Sequence, residues 1–130
     1  MQHATGSFEV KIVPHDDPDI AALKAGRMAI TKTYDGALAA TASGVMLSAG
    51  EPAKGSAGYV AIERIEGTLD GRAGGFNLIH NATMHRGEDE MRVLVVPGSG
   101  TGALAGLSGA MTIRIEGGKH FYDLDYDIAP

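Results

Sequence analysis

Apolar and polar residues alternate with a period of two along most of this chain, as they do in β-strands whose successive side chains point to opposite faces. Asp-Gly, Gly-Gly and similar pairs separate the alternating segments and are typical of hairpin turns. A short helix of about two turns is predicted at Pro18–Lys24, after the capping candidates Asp16 and Asp17. About eight strands are predicted, at Ala4–Val13, Arg27–Tyr34, Ala37–Ser48, Gly58–Leu69, Gly75–His85, Glu90–Val96, Leu107–Glu116 and Lys119–Ile128.

Successive hairpins without long helices predict an all-β fold in which each strand pairs with the next. About eight strands of about ten residues would leave long exposed edges unless the sheet closes on itself. We therefore predict one domain over residues 1–130, folded as an antiparallel eight-stranded β-barrel. A chain of this length can bury about two thirds of its unfolded surface in a single core.

The alternation also predicts which side chains face the barrel lumen. In the last strand three aspartates share one face and belong in water, so the opposite face, with His120, Tyr122 and Tyr126, is predicted to point inward. The alternation also places Glu63 on the inward face of its strand, although the other face of that strand is apolar too. The other predicted lumen residues are Met28, Ile30, Lys32, Tyr34, Tyr59, Ala61, Ile65, Phe76, Leu78, His80, Ala82, Met84, Met91, Val93, Val95, Met111, Ile113 and Ile115.

Composition and charge narrow the function classes. A formal net charge of −5 without a basic stripe argues against nucleic acid as a partner. No run approaches the roughly 18 apolar residues of a membrane span, and the first residues lack a signal-peptide pattern, so we expect no membrane partner and a cytoplasmic location. The chain has no cysteine, which fits a reducing compartment. Its 19 glycines lie between alternating segments, where they indicate tight turns.

The glycine-rich segment Val95–Gly109 is a candidate for a cofactor-binding loop. Gly98, Gly100 and Ala103 match the G-x-G-x-x-G/A spacing of dinucleotide-binding loops. That motif must open a helix, whereas further glycines and then a strand-like alternation follow here. No Gly-Lys-Ser/Thr follows the glycines either. The segment is therefore predicted to connect two strands, and we expect no cofactor.

Several segments together resemble an uncharacterised bacterial domain-of-unknown-function family whose structures are similar to the allene oxide cyclase barrel. The resemblance covers nearly the whole chain and is most specific at residues 58–127. The segments that carry it are Tyr59–Arg64, Gly67–Arg72, Phe76–His80, Val96–Gly102, Gly106–Gly109 and His120–Tyr126. The Gly-Thr-Gly turn is also similar to segments of allene oxide cyclases and dirigent proteins. The resemblance implies a calycin-like eight-stranded barrel.

Allene oxide cyclases steer the cyclisation of an apolar epoxide with the help of a carboxylate and ordered water, and dirigent proteins guide a reactive intermediate. For this chain the resemblance implies only a broad analogy between that lumenal acid and Glu63. No other functional residue carries over.

Glu63 is the strongest candidate for chemistry. In an apolar lumen, burial would raise its pKa and leave a protonated acid that can donate a proton to an epoxide or carbonyl oxygen. His80 lies on the next strand and the same face, so the two are predicted to form a cross-strand acid/base pair. The alternatives are a structural ion pair of Glu63 with Lys32 or His80, or an exposed carboxylate. The predicted ligand-binding residues are Tyr59, Phe76, Met84, Met111, His120, Tyr122 and Tyr126.

Two functions remain open at this point. One is a barrel that binds a small apolar ligand in its lumen and, if it is an enzyme, acts as an isomerase or cyclase through Glu63 and His80. The other is a non-catalytic carrier or an interaction module with a filled barrel. A continuous lumen of about 300–1,000 Å³ around Glu63 would favour the first. A closed lumen would contradict it, and the side chains predicted to close it are Phe76, Met84, Met111 and Tyr126.

The histidine spacing and the family resemblance give expectations about metal binding and self-association. The five histidines form no H-E-x-x-H or H-x-H spacing, so no metal site is predicted. Related barrels assemble into small symmetric oligomers, and the resemblance therefore implies a homo-oligomer. Apolar residues on the predicted outer face, among them Ile62, Ile79 and Leu94, are candidates for its interface.

Overall fold

The structure is a computed structural model that describes residues 1–130. A four-residue helix α1 (Pro18–Ala21) and a 3-10 turn (Pro52–Lys54) are the helical elements. The strands are β1 (Gln2–His15), β2 (Ala25–Gly36), β3 (Leu38–Glu51), β4 (Ser56–Leu69), β5 (Arg72–His85), β6 (Glu88–Val95), β7 (Thr101–Gly102), β8 (Leu107–Glu116) and β9 (Lys119–Ile128).

Eight long strands form a closed antiparallel barrel, as predicted. Strands β1 to β6 follow one another around the ring, β8 and β9 come next, and β9 pairs with β1. The two-residue strand β7 adds to the edge of β5 where the long pairing of β5 with β6 has ended. Because the sheet closes, no strand has an edge that is free along its whole length.

Strands β1 to β6 are longer than the alternation alone predicts, whereas β8 and β9 have the predicted bounds. Asp70-Gly71, Arg86-Gly87 and Gly117-Gly118 each have positive φ at both residues, which is the backbone of a two-residue type I′ hairpin. The paired strands therefore begin immediately beside these turns. The helix is shorter than predicted: Asp17 caps it through the backbone N–H groups of Asp19 and Ile20, but it ends at Ala21.

One end of the barrel is filled by side chains, and we call it the packed end. Three tyrosines and Phe76 are almost fully buried there, together with aliphatic residues from every long strand except β2, which contributes Tyr34. Leu104, from the glycine-rich segment, packs into the same cluster. The predicted inward faces of the strands are therefore confirmed in this half of the molecule.

The wall is incomplete at the opposite end, which we call the open end. Strand β6 pairs with β8 only through Val93 with Met111 and Leu94 with Ala110, and β1 pairs with β9 only as far as Phe8. Beyond these points the edges of β1 and β6 stay unpaired, and the inward face remains partly uncovered. The apolar residues on that inward face, called the open-end trough below, are Val10, Ile12, Met28, Met46, Tyr59, Met84, Met91, Ile113 and Ile115.

Candidate functional site

A buried polar network lies inside the barrel between the packed end and the open end. Glu63 on β4 is 1% exposed, and its Oε2 lies 2.7 Å from Nζ of Lys32 on β2 and 2.6 Å from Nε2 of His80 on β5. The hydroxyl of Tyr34 donates to Oε1 of the same carboxylate. Three donors from two strands thus converge on one buried anion. The predicted cross-strand contact of Glu63 with His80 is confirmed.

Small residues on the intervening strand make this convergence possible. Strand β3 lies between β2 and β4, and its inward positions opposite Lys32 and Glu63 are Ala42 and Gly44. A Cβ atom on Gly44 would come within 2.3 Å of the carbonyl oxygen of Ile62. Glycine therefore lets β3 and β4 approach closely and leaves room for Lys32 to reach across β3.

The protonation state of Glu63 differs from the expectation. Burial raises its pKa, but the hydrogen bond from His80, the charge and hydrogen bond of Lys32 and the hydrogen bond from Tyr34 together hold the pKa below its ordinary value. The prediction of a protonated acid was wrong, because it counted desolvation and not the donors. Burial, with the neighbouring carboxylate, raises the pKa of Tyr34, so that hydroxyl stays a donor.

The ammonium group of Lys32 is also held by aromatic rings. Its Nζ lies 4.7 Å from the ring centroid of Phe8, within the range of a cation–π contact. The Phe8 ring in turn lies 5.1 Å from the imidazole of His120, which is half-buried. The Lys32–Glu63 ion pair is therefore in contact with aromatic rings as well as with its hydrogen-bond partners.

The predicted ligand-binding residues divide into two groups. Tyr59, Met84 and His120 are half-buried and lie toward the open end. The others are part of the packed core, where they fill the lumen, and they are Phe76, Met111, Tyr122 and Tyr126. Three of the four side chains predicted to close the lumen, Phe76, Met111 and Tyr126, do fill it at the packed end, which argues against a ligand site running through the whole barrel. A site that contacts the network can use only the first group.

Tyr122 and Tyr126 form hydrogen bonds with the turns at the packed end. The hydroxyl of Tyr122 accepts a hydrogen bond from the backbone N–H of Leu38 at 2.8 Å and lies 2.9 Å from the carbonyl oxygen of Asp35. That of Tyr126 donates to the carboxylate of Asp70. These satisfied hydroxyls fit a structural role for both side chains.

Tyr34 is a member of the network that sequence reasoning missed. Its position on the inward face of β2 was predicted, two residues from Lys32, but its hydroxyl was not assigned a partner. Lys32 itself was considered only as an ion-pair partner of Glu63, and that contact is present. The signal that could have identified both is that Lys32 and Tyr34, two residues apart on one inward face, both end in a polar group.

The glycine-rich segment connects β6 to β8, as predicted, and is hydrogen-bonded to the outer wall of the barrel. Arg64 donates from Nη1 to the carbonyl oxygen of Ser99 and from Nη2 to Oγ1 of Thr101, both at 2.9 Å. Ser99 Oγ accepts from the backbone N–H of Asn77 at 3.0 Å. The polar groups of this segment are therefore occupied by the protein itself.

A second concave feature lies outside the barrel. An apolar groove of about 360 Å³ runs between the α1 region and the outer wall and includes Ile20, Leu23, Leu47 and Val60. It does not contain Glu63. No group of histidine and carboxylate side chains is placed to hold a metal ion, and no helix is long and apolar enough to cross a membrane.

The fold and the network together define a class: a closed antiparallel barrel, filled at one end, with a buried Glu–Lys–His–Tyr network below an open end. The family model described as "Protein of unknown function (DUF3224)" matches residues 4–126. The chain belongs to the DUF3224 family. This family and the barrel agree with the resemblance deduced from the sequence; the likeness to allene oxide cyclases stays a prediction.

A solved structure is similar over the whole length. It is the crystal structure of a protein with unknown function from the DUF3224 family from Shewanella oneidensis MR-1, with 45% sequence identity and a TM-score of 0.91. The similarity covers 100% of this chain and 99% of the other. No curated protein matches the chain.

Proposed function

We propose that the protein binds a small apolar molecule in the open-end trough, above the buried network. The observation that supports this proposal is the exposure of inward-facing apolar side chains: Ile12, Met91 and Ile115 are 47%, 43% and 65% exposed. Covering such surface is favourable by about 25 cal/mol per Å². The curved wall admits a small molecule more readily than a flat partner.

The composition of the trough indicates an irregular ligand. Met28, Met46, Met84 and Met91 contribute to it, and thioether side chains adapt to shapes that branched side chains cannot match. Tyr59 adds a polar tip beside an apolar ring. The ligand class that these side chains favour is a compact hydrocarbon framework with few polar groups.

The network forms the polar floor of this site. Glu63 is ionised and fully partnered, so it suits positioning of Lys32 and His80 better than proton donation. This favours a binding protein or carrier over a cyclase that uses Glu63 as its acid. An isomerase role for His80, oriented by Glu63, is the enzymatic form of the same proposal.

A binding experiment tests the proposal with two variants from one strand. Met91→Glu places a charge in the trough, and Leu94→Glu places one on the outer face of β6. With the fluorescent probe N-phenyl-1-naphthylamine, we expect saturable binding, weakened about tenfold or more in Met91→Glu and less than about twofold in Leu94→Glu. Absence of saturable binding, or equal weakening in both variants, would contradict the proposal.

A second candidate function, an interaction module, is favoured by the outer wall. Val45, Ile62, Ile79 and Leu94 are consecutive register partners across β3 to β6, and all four are exposed. We call this row the outer apolar ladder. Contiguous exposed apolar surface of this kind marks interaction sites. The expected occupant is a second copy of the chain, and the two functions are compatible because they use opposite faces of the wall.

A further inference from the structure

His80 is almost fully buried, but only one of its ring nitrogens is paired within the protein. The residue is 3% exposed, and its Nε2 lies 2.6 Å from Glu63 Oε2. An ionised carboxylate can only accept hydrogen bonds, so Nε2 carries the proton in this contact. Lys32 pairs with the same carboxylate oxygen. In a neutral imidazole with its proton on Nε2, the remaining nitrogen, Nδ1, is an acceptor with a free lone pair.

The Nδ1 atom is not fully buried, although His80 as a whole is only 3% exposed. Every buried side-chain nitrogen and oxygen in the protein has a hydrogen-bond partner, and no protein group donates to His80 Nδ1. That atom is therefore not sealed inside the core. His80 faces inward on β5, and the next inward residues along this strand, Ala82 and Met84, lead to the open end. A molecule in the trough can approach the unpaired nitrogen along this face.

We propose that His80 Nδ1 accepts a hydrogen bond from a hydroxyl group of the bound molecule, so that the ligand class is an apolar hydroxyl compound, a phenol or an enol. This inference rests on the proposed function, because it names the polar group of the ligand that the trough holds. The Glu63 carboxylate acts as the positioning group: its hydrogen bond fixes the tautomer and the orientation of the imidazole ring.

Other polar groups fit this acceptor less well. A carbonyl or ether oxygen has no proton to donate, and a carboxylate or phosphate would meet the lone pair of Nδ1 as a second acceptor. An ammonium group could donate, but it would lie near the positive charge of Lys32. A neutral hydroxyl satisfies Nδ1 without adding charge to the barrel interior.

The test compares two probes of nearly equal size. 2-Naphthol carries a hydroxyl, and 2-methoxynaphthalene carries a methyl ether at the same position. Measured by displacement of N-phenyl-1-naphthylamine from the native protein, 2-naphthol is expected to bind about tenfold more tightly, because the ether leaves a buried acceptor unpaired. In His80→Phe, which lacks the acceptor, the two probes are expected to bind equally.

A measurement on the unmutated protein keeps the test valid if His80→Phe does not fold. In protein labelled with ¹⁵N at histidine, the Nδ1 resonance of His80 is expected to shift on addition of 2-naphthol and to stay in place with the ether. Equal binding of both probes, with no shift of Nδ1, would overturn the hydroxyl assignment and leave the proposed function standing. If neither probe nor N-phenyl-1-naphthylamine binds, both proposals fail together.

Discussion

Glu63 shows how a single buried charge can be retained in an apolar core. Removing a carboxylate from water is costly, and the cost is offset here because Lys32, His80 and Tyr34 all donate to it. Such a group is most sensitive to the loss of one partner, since the remaining charge is then buried without compensation. The network therefore couples the stability of the barrel to the residues that form the floor of the proposed site.

Lys32→Met is expected to destabilise the protein by about 3–5 kcal/mol, because it leaves Glu63 charged and without its cation. The double variant Lys32→Met/Glu63→Leu is expected to recover much of this loss, since neither charge remains. Arg114→Met is the control, because its ion pair with Asp123 is on the surface and should contribute about 0–1 kcal/mol. Urea unfolding measures all three, and a loss in the double variant as large as that in Lys32→Met would contradict a buried charge pair.

The pKa of Glu63 makes a prediction about acid stability. Because the folded-state pKa is held below its ordinary value of 4.5, the contribution of Glu63 is fully present above that value. It is lost as the pH falls from about 5 through the folded-state pKa, because the unfolded state then binds more protons. Urea unfolding between pH 7 and pH 3 should show a steeper loss for the wild type than for Glu63→Gln. Parallel curves would show that the carboxylate is not stabilised by folding.

At the scale of the strands, the site depends on how closely β2, β3 and β4 approach one another. Gly44 and Ala42 place no bulky side chain on the inward face of β3, so the side chains of Lys32 and Glu63 can meet across it. The β6–β8 contact has the opposite property: it is limited to two residue pairs and leaves the open end uncovered. One region of the wall thus brings polar groups together, and another leaves the barrel end above them uncovered.

Gly44→Ala is expected to destabilise the barrel by about 2 kcal/mol, because the added Cβ would lie 2.3 Å from a backbone oxygen of β4. Gly26→Ala is the matched control within β2, since a Cβ there meets nothing closer than 3.9 Å. Its effect should stay within about 0.5 kcal/mol. Chemical denaturation of the two variants checks the difference, and equal effects would argue that strand propensity rather than close approach explains Gly44.

At the scale of the whole molecule, the barrel has two ends and two apolar surfaces. Its packed end supplies the core, its open end exposes the trough, and its outer wall exposes the ladder. Neither exposed surface is needed to fill the core. The DUF3224 protein from Shewanella oneidensis MR-1 has the same fold over the full chain, so this division can be compared between two members of one family.

The outer apolar ladder predicts self-association. We expect a mass larger than that of one 13.4 kDa chain in light scattering at micromolar concentration. Ile79→Lys should shift the mass to that of a monomer, because it places a charge at the centre of the ladder. Ile115→Lys, an equally drastic change at the open end, should leave the mass unchanged. A monomeric wild type would contradict this role for the ladder.

The period-two alternation was sufficient to predict the barrel and the inward faces, because strand parity is a local property of the chain. It also placed Glu63 and His80 on one face of neighbouring strands, and the Asp70-Gly71 turn sets the β4–β5 register that brings them into contact. The lengths of β1 to β6 were underestimated, whereas β8 and β9 had the predicted bounds. At Asp70-Gly71 and Arg86-Gly87 the reason is that a two-residue turn needs fewer residues than the predicted connections.

Tertiary structure alone decided the chemistry of the network and the shape of the lumen. Lys32 and Tyr34 reach Glu63 across a third strand, and the pKa of Glu63 depends on how many donors converge on it, which the spacing along the chain does not encode. The uncovered trough arises where the pairing of β6 with β8 stops. Local alternation determines which way a side chain points, whereas closure of the barrel determines what it meets there.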